Sequence, residues 1–241
     1  MSEMDAVHRR FAESAPQLAE LEESRREAVR ERLRRFVDPR GDERVLDLGT
    51  GTGALAFALA PLVREVVGVD AVPEMLDEAR RRGAGFPNVS FVEGDITHLP
   101  EGLGSFDLTA CVRTFHHVAR PELVVAGLVR STLPGGYVLV VDQIAPVDPL
   151  IAFELNRFER ARDPSHTRAF ADVDMRQLFE SNGLVLLRTD FEREEREISS
   201  YLDRAGCEGI ARERALAMAP GHERYSVEIG WYLMRKPGLS G

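Results

Sequence analysis

The sequence has few of the features that place a protein in a specialised class. It contains two cysteines, Cys111 and Cys207, which lie far apart and indicate neither a disulfide framework nor a metal cluster. No apolar run approaches the roughly 20 residues that cross a membrane. The first ten residues lack the apolar core of a signal peptide, and internal repeats are absent. We therefore expect a cytoplasmic protein with no membrane span and no metal site.

Charge and length narrow the class further. The formal net charge of −9 does not favour a nucleic-acid-binding surface. With 44% hydrophobic and 29% charged residues, the composition is that of an ordinary globular protein. A chain of 241 residues suits one domain with a lid or an insertion. We expect residues 1–40 to form a helical lid and residues 41–241 a core, with an insertion at about 144–171.

A glycine-rich stretch, Val45–Gly53, reads Val-Leu-Asp-Leu-Gly-Thr-Gly-Thr-Gly. Its pattern predicts a short buried strand and a glycine loop, and a helix follows from Ala54 to Leu62. This arrangement opens many nucleotide-binding α/β units, where backbone N–H groups at the helix N-terminus face the ligand. Because Gly49, Gly51 and Ala54 also fit the dinucleotide pattern, an NAD-dependent oxidoreductase is one interpretation.

Two acids refine this interpretation. Asp47 stands two residues before the first glycine, and a carboxylate facing the ligand suits a cationic amine better than a pyrophosphate. The second predicted strand, Glu65–Asp70, ends in an acid whose two oxygens can accept hydrogen bonds from both ribose hydroxyls. Since many nucleotide cofactors carry a ribose, this second acid does not discriminate between them.

Further motifs follow the later predicted strands. The third strand, Asn88–Glu93, precedes Gly94-Asp95-Ile96, and the fourth, Ser105–Val112, precedes Arg-Thr-Phe-His-His-Val. A Pro-Gly-Gly turn then leads into a fifth strand, Tyr137–Asp142. Together with the glycine stretch, this series resembles class I S-adenosylmethionine (SAM)-dependent methyltransferases. It is most similar to the subfamily of ubiquinone- and menaquinone-biosynthesis enzymes and small-molecule tailoring enzymes, and the resemblance covers roughly residues 40–235.

The resemblance implies a Rossmann-like α/β fold, with a seven-stranded, mostly parallel sheet, helices on both faces and an antiparallel final strand. It also implies methyl transfer from SAM to an oxygen, nitrogen or carbon of a small molecule, in quinone or natural-product biosynthesis, by a monomer or homodimer. In the family the acid equivalent to Asp47 serves the methionine end of SAM, Asp95 faces the adenine amino group and Ile96 packs on its ring. The cofactor-binding residues implied are Asp47, Gly49, Thr50, Gly51, Gly53, Asp70, Ala71, Met75, Asp95, Ile96, Val112 and Arg113.

Two histidines are candidates for removing a proton from the acceptor, and Asp142 is a candidate for orienting them. His116 and His117 follow the fourth strand and Asp142 ends the fifth; these strands are neighbours in the family. A histidine suits the role of base because its unperturbed pKa of about 6.5 leaves it neutral at working pH, and an aspartate can orient it. In many relatives, however, the two histidines only pack on the methionine end of SAM, so a structural role is the alternative.

The predicted substrate contacts are Phe11, Arg162 and His166. Phe11 belongs to the predicted lid, whose apolar stripe is interrupted at Pro16, so that two helices are expected over residues 1–37. The segment 156–166 resembles an Arg-Asp-Pro-Ser-His signature in one branch of the subfamily. Its arginines could bind an acidic substrate or be solvated on a helix, and His166 could equally be a surface or core residue. Two distant cysteines do not favour arsenite methylation, which needs several thiolates.

The C-terminal third is predicted to contain a helix, two more strands and, over residues 195–219, a polar helical stretch. Residues 173–182 are predicted to be helical, with Asp172 as the cap and Gly183 as the end. Strands are expected at Leu184–Phe191 and Ser226–Met234. A protein that keeps this fold only as a non-catalytic binding module is a further alternative that the motifs leave open.

Overall fold

The computed structural model describes residues 3–238, without the side chains of residues 3, 4 and 6; residues 1–2 of the predicted lid and 239–241 of the predicted core lie outside it. The described chain contains these helices: α1 (Glu3–Phe36), α2 (Ala54–Leu59), α3 (Pro73–Arg82), α4 (Pro121–Ser131), α5 (Pro149–Arg162), α6 (Asp172–Ser181), α7 (Ile198–Asp203) and α8 (Gly209–Ala217). Its strands are β1 (Arg44–Leu48), β2 (Glu65–Asp70), β3 (Val89–Glu93), β4 (Phe106–Val112), β5 (Thr132–Ala145), β6 (Phe170–Ala171), β7 (Val185–Glu197) and β8 (Arg224–Arg235).

The strands form one sheet in the order β3-β2-β1-β4-β5-β8-β7, and the two-residue β6 pairs with β5. Strands β1 to β5 are parallel, whereas β8 runs antiparallel to both β5 and β7. Residues of α1, α2, α5 and α8 belong to one hydrophobic cluster and residues of α4 and α6 to another, so helices cover both faces of the sheet. The predicted Rossmann-like, mostly parallel sheet and its antiparallel final strand are confirmed.

The strand order reverses at β1. The chain proceeds outward from β1 through β2 to β3, then returns to place β4 and β5 on the other side of β1. In open α/β sheets, ligands bind outside the carboxyl ends of the strands at such a reversal, because neighbouring loops diverge there and leave a crevice. The topology therefore directs a ligand to the loops after β1 and β4.

The N-terminal region is one helix of 34 residues with Pro16 inside it, so the predicted division into two helices is wrong. An interior proline removes a helical hydrogen bond and costs roughly 3 kcal/mol. Both halves of α1 are anchored: Ala15 packs in a cluster with Met75, while Leu33 and Phe36 are buried in the larger core. Tertiary packing on both sides of the proline offsets its local cost.

Two details of the C-terminal half also differ from prediction. Asp172 is the first residue of α6 and does not cap it, because its carboxylate accepts hydrogen bonds from Arg176 Nε (2.9 and 2.8 Å) and Tyr232 Oη (2.8 Å). Strand β7 continues past the predicted Phe191 to Glu197, since it stays paired with β8 over that length. Gly183, with φ of 76°, follows α6 as expected.

The Pro-Gly-Gly stretch is part of β5 and does not form a separate turn before it. The N–H of Gly135 donates to the carbonyl of Lys236 (2.9 Å), and the N–H of Lys236 donates to the carbonyl of Gly136 (2.9 Å). The end of β8 thus extends its pairing to this stretch. Within residues 3–238, no helix combines the length and apolar character needed to cross a membrane.

Candidate functional site

A cavity of about 950 Å³ lies at the carboxyl ends of the parallel strands. Asp47 of β1, Asp70 of β2, Val112 of β4 and Asp142 of β5 line one side of it. Helix α1 forms a second wall along much of its length, and β7 contributes residues 192–196. The cavity is therefore placed where the strand order predicts a ligand, with the N-terminal helix beside it.

The glycine loop after β1 has a backbone that favours glycine. Gly49, Gly51 and Gly53 have φ of 72°, 55° and 89°, in the left-handed region. The N–H of Gly51 donates to Asp70 Oδ2 at 2.8 Å, which ties the loop to the end of β2. A side chain at Gly49 would approach Thr114 Oγ1 to 2.5 Å. Positive φ and close packing together explain the glycines.

Every predicted cofactor residue except Gly53 lines this cavity. Gly53 faces the ring of Phe57, where an added Cβ would come within 2.5 Å, so its role is in packing the loop. Near the end of β3, the N–H and hydroxyl of Thr97 both donate to Asp95 Oδ1 at 2.7 Å, which fixes that carboxylate beside Ile96.

Carboxylates are concentrated around the glycine loop. Asp47 is 1% exposed and accepts a hydrogen bond from Thr50 Oγ1 (2.7 Å). Burial raises the pKa of Asp47 to about 7, and the charges of Asp70 and Glu22 add to this. Burial also raises the pKa of Asp70 and of Glu22, although Thr52 and other donors partly offset the effect. A cationic group would relieve the repulsion within this cluster.

Arg113 joins the end of β4 to β7 across the cavity. It is one of two described non-glycine residues with positive φ, at 54°. Its N–H donates to the carbonyl of Val141 (2.7 Å), and its Nη2 donates to Glu194 Oε2 (2.6 Å). The unusual backbone turns the chain away from the sheet and into the loop that carries the two histidines.

The first histidine forms a pair with the aspartate of β5. His116 Nδ1 lies 2.5 Å from Asp142 Oδ1, and Asp142 is 2% exposed. Burial alone would raise the pKa of Asp142, but the charge and hydrogen bond of His116, with the N–H of Gln143, lower it overall. The predicted proximity of the two residues holds in the structure. The contact occupies Nδ1 and leaves Nε2 as the ring nitrogen for a ligand.

The second histidine is held by a different segment. His117 Nδ1 lies 3.0 Å from Ser165 Oγ, which in turn donates to Asp163 Oδ1 at 2.5 Å. Burial lowers the pKa of His117 to about 3, with a further contribution from the charge of His116. The Arg-Asp-Pro-Ser-His segment therefore supports His117 through Asp163 and Ser165, two residues that sequence reasoning missed.

The first part of α1 closes over this histidine. Phe11 meets the ring of His117 edge-on, with centroids 4.9 Å apart. Arg10 Nε donates to Asp163 Oδ2 at 3.0 Å, and its Nη2 donates to the carbonyl of Arg204 at 2.9 Å. The predicted contact residue Phe11 thus lines the cavity, although its neighbour in the described structure is a histidine.

The other two predicted substrate residues are occupied inside the protein. His166 is 3% exposed, its Nε2 lies 2.9 Å from Asn156 Oδ1, and it is not among the residues that line the cavity. Arg162 does line the cavity, but its Nε donates to Glu159 (3.0 Å) and its Nη2 lies 3.5 Å from Asp163. His166 is therefore a core residue, one of the two locations expected for it. The positive charge of Arg162 is compensated by Glu159 and Asp163.

The sequence and the fold of this chain are similar to those of known proteins. Residues 45–136 match the family model described as a methyltransferase domain. The uncharacterized methyltransferase YcgJ of Bacillus subtilis (strain 168) is 37% identical over 147 residues, which are 60% of this chain and 58% of that protein. A demethylmenaquinone methyltransferase of Clavibacter sepedonicus is 36% identical over 131 residues, 54% of each chain. The chain spans about half the length of the curated relatives that it matches.

The likeness to a solved structure extends further along the chain. The crystal structure of YcgJ from Bacillus subtilis superposes with a TM-score of 0.78 and 26% identity, covering 84% of this chain and 94% of that one. The family-model match, residues 45–136, includes the glycine loop and the second to fourth strands predicted from sequence. These findings confirm the resemblance to class I SAM-dependent methyltransferases, and residues 45–136 of this chain match a methyltransferase domain.

Proposed function

We propose that this protein transfers the methyl group of SAM to a small-molecule acceptor, with His116 as the base. One observation carries the proposal: a single cavity brings the acidic cluster around the glycine loop together with the His116–Asp142 pair. The cluster suits a cationic cofactor, and the pair suits proton removal. The match to a methyltransferase domain supports the same assignment.

The acidic cluster fits SAM group by group. Asp47, buried and with its pKa raised to about 7, would take the ammonium of the methionine end. Asp70 has two oxygens that would accept the ribose hydroxyls, and Asp95 would face the adenine amino group. Ile96 and Met75 supply apolar surface for the ring. When bound, SAM supplies a methyl group already activated by its sulfonium, so the protein has to align and deprotonate the acceptor.

His116 is a better base than His117. Its Nδ1 contacts the carboxylate of Asp142, which would stabilise the imidazolium formed when Nε2 accepts a proton. His117 has a pKa lowered to about 3, and its Nδ1 lies beside the hydroxyl of Ser165 and not beside a carboxylate, so it holds a proton poorly. We therefore assign His117 to positioning, beside Phe11.

The direct test is mass spectrometry of candidate small molecules incubated with methyl-labelled SAM. Once an acceptor is found, His116→Ala should lower turnover at saturating SAM by roughly 10²–10⁴-fold, the usual range for a general base, and leave SAM affinity nearly unchanged. Asp142→Asn should give a smaller loss in the same direction. Full activity of His116→Ala would show that proton removal does not depend on this residue; weaker SAM binding with normal saturated turnover would indicate a structural role instead.

Two alternatives give different results in calorimetry. An NAD-dependent oxidoreductase, which the glycine spacing alone leaves open, should bind NADH tightly and SAM not at all. A non-catalytic binding module should bind SAM but methylate none of the candidates, with His116→Ala indistinguishable from the parent. SAM binding without NADH binding, followed by label transfer, supports the methyltransferase proposal against both.

The acceptor is proposed to be an intermediate of quinone or natural-product biosynthesis. The cavity of about 950 Å³ is large for a single nucleotide, and the apolar residues Phe11, Leu18, Leu21 and Trp231 line it. We further propose that residues 1–40 act as a lid, because Arg10 and Phe11 close over the histidines. A monomeric or homodimeric state and a cytoplasmic location stay predictions.

A further inference from the structure

The arginines that line the cavity differ in whether a carboxylate compensates them. Arg10 binds Asp163 at 3.0 Å, Arg196 binds Glu194 at 2.8 Å, and each other arginine of the lining except two has an acidic partner within 4 Å. The two exceptions are Arg25 and Arg204, which form no ion pair within 4 Å with the side chains that the structure describes. Both residues therefore line the cavity without a carboxylate in direct contact.

The surroundings of Arg204 place it on the acceptor side. Its carbonyl accepts a hydrogen bond from Arg10, the residue that also binds Asp163 behind His117. Its guanidinium lies 5.3 Å from the ring centroid of Tyr201, and its Nε donates to a backbone carbonyl at 3.3 Å. These contacts fix the side chain while leaving both terminal nitrogens for another partner.

Arg25 and Arg204 line the same cavity and carry charges of the same sign. Arg25 is on the face of α1 that lines the cavity, and it is exposed. Burial lowers the pKa of Arg204, and repulsion from Arg25 and Arg196 adds to this, while Tyr201 and the charge of Glu194 partly offset it. Two like charges held near each other are destabilising unless an anion joins them.

The acids on this side of the cavity are in direct contact with other partners. Glu194 is shared by Arg113 and Arg196, Glu192 binds Arg32, and Asp142 is paired with His116. The acids near the glycine loop belong to the proposed cofactor side. An oxyanion on the ligand is the remaining partner, since guanidinium groups bind carboxylate and phosphate oxygens with two parallel hydrogen bonds.

We propose that Arg25 and Arg204 form a binding site for an anionic oxygen group, a carboxylate or a phosphate, carried by the methyl acceptor. This assignment rests on the proposed function and specifies its substrate class. It replaces the sequence-based prediction that Arg162 binds an acidic substrate, because Arg162 is already paired with Glu159.

The test measures how the S-adenosylhomocysteine-saturated protein binds three matched probes: benzoate, phenyl phosphate and benzamide. Ligand-observed NMR titrations should show at least one anion binding roughly tenfold more tightly than the neutral amide, the range for a hydrogen bond to a charged group. Arg204→Gln should abolish that preference. Arg25→Gln should reduce it by roughly threefold, because an exposed pair contributes less. Which anion is preferred distinguishes a carboxylate from a phosphate acceptor.

Arg26→Gln is the matched control, since Arg26 is the next residue on α1, lines the same cavity and is paired with Glu23. It should keep the anion preference. Equal binding of all three probes, no binding of any of them, or a preference that survives in Arg204→Gln would overturn the proposal. A loss of S-adenosylhomocysteine affinity in Arg25→Gln would place Arg25 on the cofactor and equally refute its assignment.

Failure of the proposed function gives a different result. If calorimetry shows no binding of S-adenosylhomocysteine to the parent protein, the methyltransferase proposal fails, while the same probes can still be titrated against the unliganded protein. If S-adenosylhomocysteine binds but the anions have no advantage over benzamide, only the anion site is refuted.

Discussion

The buried carboxylate of Asp47 should make SAM affinity depend on pH in a defined way. Without a ligand its pKa is about 7, because burial and neighbouring acids disfavour its charge. Binding the SAM ammonium requires the ionised form, so affinity should rise as the pH increases through about 7. The α-amino group of SAM itself loses its proton near pH 8, so affinity should fall again above that value.

The expected size follows from these two ionisations. At about pH 7.5 most of the protein has Asp47 ionised and most SAM is protonated. At pH 6 about a tenth of the protein is ionised at this position, and SAM should bind roughly sixfold more weakly than at pH 7.5. A similar loss is expected at about pH 9 from the ligand, so the affinity profile should be bell-shaped.

Isothermal titration calorimetry of SAM between pH 6 and 9 measures this profile, and Asp47→Asn is the decisive variant. The amide can keep the hydrogen bond from Thr50 but cannot ionise. It should bind SAM more weakly by about 1.5–3 kcal/mol at pH 7.5 and lose the acid side of the profile while keeping the basic side. An acid side that persists in Asp47→Asn would refute the reasoning, because another group would then be responsible.

Three further outcomes are expected. Asp70→Ala should weaken SAM binding by about 1.5–3 kcal/mol, and Gly51→Val by more, because the valine would fill ligand space at a positive φ. Asp77→Ala, on the exposed side of α3, is the control. Parental SAM affinity in both Asp70→Ala and Gly51→Val would show that the loop is not the cofactor site. The pKa of His117 is lower in the folded than in the unfolded protein, so its contribution to stability is present above about pH 6.5 and is lost as the pH falls. In urea denaturation, the free energy of unfolding of the parent should fall by about 2 kcal/mol more than that of His117→Asn between pH 7 and 5. Equal decreases in the two proteins would contradict this. Deleting residues 1–15 should leave a core that circular dichroism shows to be folded, but turnover should be impaired because the cover over the histidines is lost. Normal turnover or an unfolded chain would count against a lid.

The sequence alone was enough to predict the features that depend on residues close together in the chain. Strand β2 has the predicted bounds, and the glycine loop joins Asp47 to the helix as its local pattern indicates. These features follow from short continuous apolar runs, glycine conformation and short turns, which depend on a few adjacent residues. The sheet order and the approach of His116 to Asp142 came from the family resemblance, because strand neighbours are separated by whole helices in the chain.

Tertiary structure decided the features that depend on distant partners. Pro16 stays within a helix because both halves of α1 are packed, although its local effect is to break one. The support of His117 by Ser165 spans 48 residues, and the contact of Arg10 with Asp163 spans 153. Sequence shows how many arginines a segment has, but whether a charge is free for a ligand depends on which acid the fold places beside it. That is why Arg162 contacts a carboxylate directly, whereas Arg204 forms no ion pair with the side chains that the structure describes.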